Sequence, residues 1–168
     1  MRSKDDKATR GGFTLVEILI TIVILGILMV IGVSHFRELN EKYKVEAETK
    51  QLYADLMDAR GRAMQRNRKF FVRFSGANYA TYEDTNTAPD GNGTWDNTLD
   101  TVVANITAAH TIITTFPGGV FEFNGNGIAS VTGDIRFSST ATPDYDCITV
   151  KPTRTKMGQY SGGGCVEK

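Results

Sequence analysis

"RGGFTLVEILITIVILGILMVIGV", residues 10–33, is the stretch whose reading decides the arrangement of everything after it. Within residues 13–33 only Thr14, Glu17 and Thr21 are polar or charged. As a helix that run spans about 32 Å, which matches the hydrocarbon thickness of a bilayer. A secretory signal peptide has a shorter apolar core of roughly 7 to 15 residues and a small-x-small cleavage site beyond it, a site that Gly32 and Ser34 do not make. The preceding leader carries Arg2, Lys4, Lys7 and Arg10 against Asp5 and Asp6, which predicts a cytoplasmic N-terminus. Glu17 does not fit a plain anchor. An ionised group at the centre of a membrane helix costs roughly 2.5 to 3.5 kcal/mol and calls for a partner. No Lys or Arg lies within residues 13–33, so the cation has to come from a new chain end or from another molecule. Cleavage after Gly12 would supply it, because Phe13 would then carry a free amine close to the carboxylate or to that of a neighbouring helix.

The composition bounds the remainder. A chain of 168 residues has room for this segment and one domain of about 100 to 130 residues. Lys+Arg 19 against Asp+Glu 19 gives no overall basic excess of the kind that marks a general nucleic-acid binder. Cys147 and Cys165 are spaced to suit a disulfide if the domain sits in an oxidising compartment. The histidines, His35 and His110, are not at zinc-ligand spacing from them. There is no G-x-S-x-G elbow, P-loop or H-E-x-x-H, so neither an enzyme nor a cofactor or metal is expected.

Beyond residue 34 the pattern turns amphipathic, with Val45, Leu52, Leu56, Ala59 and Ala63 at three- and four-residue steps, which predicts a helix face packed on a core. No proline interrupts residues 13–69, and Gly26 and Gly32 are the weak points. From Phe70 the texture is that of strands. "KFFVRFSGANYATYED" alternates on both sides of residues 75–78 and reads as a hairpin, and "GGVFEFNGNGIAS", "GDIRFSS" and "DCITVKP" add short strands to a meander of five to seven. The polar run "EDTNTAPDGNGTWDNTLDT" reads as a mobile surface loop. The fold class expected is α+β, a long N-terminal helix packed on an antiparallel sheet. Its parts are a leader at 1–12, a membrane-spanning segment at 13–34, an amphipathic continuation at 35–69 and a β-rich domain at 70–168.

The motif "GFTLVE", Gly12 through Glu17, behind a short basic leader and ahead of a full apolar helix, resembles the class III signal of type IV pilins and type II secretion pseudopilins. That resemblance implies cleavage between Gly12 and Phe13 by a prepilin peptidase, N-methylation of Phe13, and Glu17 as the charge partner of a neighbouring subunit's Phe13 amine during assembly. "LYADLMDARGRAMQRNRKFFVRFSG", residues 52–76, with Ala59, Arg60 and Ala63, is similar to the helix-end-to-first-strand passage of the GspH/FimT-like pseudopilin and minor pilin family. The family implies a pilin-like fold and a minor subunit of a type IV pilus or a type II secretion pseudopilus. It implies an inner-membrane, single-pass chain whose C-terminal domain is periplasmic before it enters the filament, its tip included. The partners implied are the peptidase, other pilins or pseudopilins, the assembly machinery and the membrane. The alternatives are a DNA-binding minor pilin for DNA uptake and a membrane-anchored periplasmic binding domain that does not polymerise.

Two sites in the domain follow from smaller signals. "KPTRTK" resembles the place where relatives on competence pili bind DNA, so Lys151, Arg154 and Lys156 are candidate phosphate contacts, with ordinary surface lysines on a hairpin as the competing reading. Asp90, Asn92, Thr94 and Asp96 alternate as in calcium loops, but Trp95 stands where such a turn needs Gly and no Glu closes it, so no metal site is expected.

Overall fold

A computed structural model gives the fold and describes residues 12–86 and 91–168, without an account of the Ile31, Ser34 and His35 side chains. Two compact units divide the chain, Met1–Leu39 and Asn40–Lys168. Helix α1 (Leu15–Arg66) opens in the first and closes in the second.

Thr14 starts α1 because its hydroxyl accepts a hydrogen bond from the Glu17 backbone N–H at 3.2 Å, filling one of the donors that every helix start leaves empty. The other end stops at Asn67, whose φ of 50° turns the chain left-handed, and the Arg68 N–H returns to the Ala63 carbonyl at 3.2 Å. Arg66 and Arg68 both pair with the buried Glu83 carboxylate, tying the helix end to the end of the second strand, Asn78–Glu83.

Among the described residues there are nine strands in two sheets, where the sequence suggests one meander of five to seven. The first sheet has the order β3-β2-β1-β5, from β1 (Phe70–Ser75), β2 (Asn78–Glu83), β3 (Thr101–Thr107) and β5 (Val120–Phe123). The second runs β4-β6-β7-β8-β9, from β4 (Ile112–Thr114), β6 (Gly133–Phe137), β7 (Cys147–Val150), β8 (Thr155–Ser161) and β9 (Gly164–Glu167). All named pairings are antiparallel. The expected hairpin is β1–β2, closed with Ser75 opposite Asn78.

One core joins the two sheets to the helix. The stripe Val45, Leu52, Leu56, Ala59 and Ala63 is buried, as the helical spacing predicts, and packs with Phe70, Val72 and Phe123 of the first sheet and Ile135, Ile148 and Val150 of the second. Strand alternation sends Phe71, Ala80 and Tyr82 to the opposite face of the first sheet, where Trp95 covers them. The segment between β2 and β3 is therefore more than a surface loop. Its Trp95 ring lies under the Arg73 guanidinium at 4.7 Å and meets Tyr82 edge-on at 5.9 Å. Asp84 and Asp100 at its two ends are buried, and Asp84 accepts hydrogen bonds from the Asn92 and Gly93 N–H groups at 3.1 and 2.8 Å. A Cβ on Gly91, at φ 87°, would lie 2.0 Å from the Asp84 carboxylate, so glycine is required there.

Candidate functional site

The start of α1 is the site the sequence singles out. Phe13 and the apolar side chains up to Val30 are exposed, from 50% at Ile18 to 79% at Leu15. A helix that is apolar on every side needs lipid or other helices around it. Among the described residues no helix is long and apolar enough to cross a membrane, and the described side chains of the apolar run break at Ile31.

The three polar residues of this run differ in how they are satisfied. Thr14 caps the helix, and the Thr21 hydroxyl donates to the Ile18 carbonyl at 2.8 Å. The Glu17 carboxylate has no cationic partner among the described residues. As an acid in the first turn it complements the positive end of the helix dipole. Thr14 is a residue that the sequence reading passed over, although the spacing T-x-x-E is the signature of a capping box. Gly12 and Phe13 stand exposed just before the helix, and the leader at 1–11 lies outside the described residues.

Within the β-rich domain, Cys147 and Cys165 form a disulfide with Cα atoms 5.8 Å apart. It joins β7 to β9 across β8, over Gly158, where a Cβ would lie 2.1 Å from the Val166 carbonyl oxygen and 3.1 Å from Cys165 Sγ. Removing the bridge by a Cys147→Ala, Cys165→Ala double substitution is expected to lower the unfolding free energy by about 3 kcal/mol, the value for a loop of this length. Urea denaturation of the two forms measures it, and equal midpoints would contradict it.

Lys151, Arg154 and Lys156 do come together, and they converge on a residue the sequence reading left out, Glu167 of β9. Hydrogen bonding to Lys151 holds the Glu167 carboxyl below its ordinary range, with Arg154 acting in the same direction. The three cations, 37 to 55% exposed, therefore share one carboxylate. In the segment between β2 and β3, Asp90 lies outside the described residues. Asn92 and Asp96 turn a side-chain oxygen onto their own loop, Asn92 accepting from Thr94 N–H and hydroxyl and Asp96 from Thr98 N–H and hydroxyl. Among the described residues no group of three His, Cys, Asp or Glu side chains could hold a metal ion.

His110, which stands away from zinc-ligand spacing in the sequence, sits between two carboxylates. Its Nδ1 lies 2.7 Å from Glu48 Oε2 and its Nε2 2.6 Å from Glu41 Oε1. Burial opposes the imidazolium charge, but the hydrogen bonds to Glu41 and Glu48 outweigh it, and the ring's pKa is raised above its ordinary value of 6.5. The same contact lowers that of Glu41.

Comparison with known proteins places this architecture. The family described as "Type II transport protein GspH" matches residues 48–153, which is more than half of the chain. This chain belongs to that GspH family. The prokaryotic N-terminal methylation motif matches residues 7–33. The solved structure of the minor pseudopilin EpsH from the type 2 secretion system of Vibrio cholerae is similar in fold, with a TM-score of 0.51 at 14% identity, covering 69% of this chain and 97% of EpsH. No curated protein is similar enough to count as a match. The GspH match covers the amphipathic part of α1 through β7, and the methylation motif covers the apolar run with Glu17.

Proposed function

We propose that this GspH-family chain is a minor pseudopilin of a type II secretion system, anchored in the inner membrane with its β-rich domain in the periplasm. Prepilin peptidase cuts between Gly12 and Phe13, and the Phe13 amine is methylated. Subunits then assemble through the apolar start of α1, where Glu17 meets the Phe13 amine of a neighbour. The observation that carries the reading is the pairing state within that run: Thr14 and Thr21 are satisfied inside the helix and the Glu17 carboxylate is not. A lone charge with an apolar surround on all sides is stable only with an opposite charge at hand. The family's description favours type II secretion over a type IV pilus. Mass spectrometry of the chain isolated from membranes tests the processing step, with a mature N-terminus at Phe13 carrying one added methyl group expected. A chain that keeps Met1 to Gly12 would overturn it.

A further inference from the structure

The cluster of Glu41, Glu48 and His110 lies outside everything the assembly reading uses. Both acids stand on α1, while His110 stands on the connection between β3 and β4. Each ring nitrogen faces a different carboxylate oxygen at hydrogen-bond distance. A neutral imidazole has one N–H and one lone pair, so it can donate to only one of them, and its lone pair would confront the other. Only the imidazolium satisfies both. Glu48 also accepts from the Ala109 N–H at 2.6 Å, so the same carboxylate grips ring and backbone of the connection. Other groups act on the cluster: Lys44 and Ser139 on Glu41, and Glu48 on Tyr79 of β2, whose hydroxyl is held by Asp55.

We propose that Glu41, Glu48 and His110 form a proton-operated latch that holds the β3–β4 connection against α1 and lets it go in alkaline medium. Ala108 of the connection helps to line a cavity of about 140 Å³ together with Glu48, Gln51, Tyr79, Ile106 and Phe137, which release would widen. The direction follows from the two pKa shifts. His110 is raised, so its contribution is complete below 6.5 and is lost as pH rises through the raised value. Glu41 is lowered, so its contribution is complete above 4.5 and is lost as pH falls through the lowered value. Both contributions are complete between 4.5 and 6.5, and the one lost on the alkaline side is that of His110.

Nuclear magnetic resonance on the full chain in detergent, with ¹⁵N-labelled histidine, tests it. His110 is expected to titrate above 6.5 with both ring nitrogens protonated at neutral pH. Exchange of the Ala109 amide, corrected for its intrinsic pH dependence, is expected to accelerate about tenfold through that titration, the range for losing a charge-assisted hydrogen bond. In Glu41→Gln the titration and the acceleration are expected to move together to lower pH. Titration of His110 at or below 6.5, or corrected Ala109 exchange that ignores pH, would overturn the latch.

Discussion

A Glu17→Val chain is expected to be cleaved and methylated normally and yet to enter filaments about a hundredfold less than the native chain. The bond that is cut, between Gly12 and Phe13, lies ahead of Glu17, and valine prolongs the apolar run without a break. What valine removes is the acid alone. In an assembled bundle the Phe13 amine of a neighbour would then be buried with no counter-charge, and breaking a buried pair in this way costs about 3 to 5 kcal/mol. Since each 1.4 kcal/mol is a factor of about ten, the lower figure already corresponds to about a hundredfold. Quantitative blotting of sheared filaments against membranes measures the ratio. Incorporation equal to that of the native chain would remove Glu17 from assembly and leave it as a helix-start residue beside Thr14.

The second large effect belongs to the domain. Phe70 is fully buried at the start of β1, the strand that lies between β2 and β5, opposite Glu83 on one side and Phe123 on the other. Phe70→Ala is expected to lower the unfolding free energy by about 4 kcal/mol, from lost transfer energy together with the cavity left in a core that cannot collapse around it. Whole domains of this size are stable by only about 5 to 15 kcal/mol, so the variant should stand close to its unfolding transition. Urea denaturation of the full chain in detergent, followed by far-ultraviolet circular dichroism, gives the value. Leu99→Ala, at a side chain 61% exposed, serves as the control and is expected to change stability by less than about 0.5 kcal/mol. A loss at Phe70 no larger than at Leu99 would mean that helix and sheets do not share one core.

The helix was readable because its signals are local. Val45, Leu52, Leu56, Ala59 and Ala63 repeat at the period of the helix, and together with Thr49 they are the residues it buries. The first hairpin was readable for a similar reason, with alternation on both sides of a tight turn. The division into two sheets was not, because it depends on which distant strands pair: β1 takes β5 as its second neighbour, and β4 passes to the other sheet. Trp95 shows the same limit, since a tryptophan in a polar run gives no hint that Phe71 and Tyr82 need a cover. Glu17 was legible as an incompatibility, a charge with nothing nearby to answer it. Glu41 and His110, 69 positions apart, each looked ordinary alone.

Trp95 is the sole tryptophan of the chain, and it sits on the face of the first sheet turned away from the main core. Its indole emission therefore reports one event, the peeling of the segment between β2 and β3 from that face, and is blind to the packing of α1. An optical melt read at the indole and one read on the backbone would coincide only if cover and core dissolve in a single step.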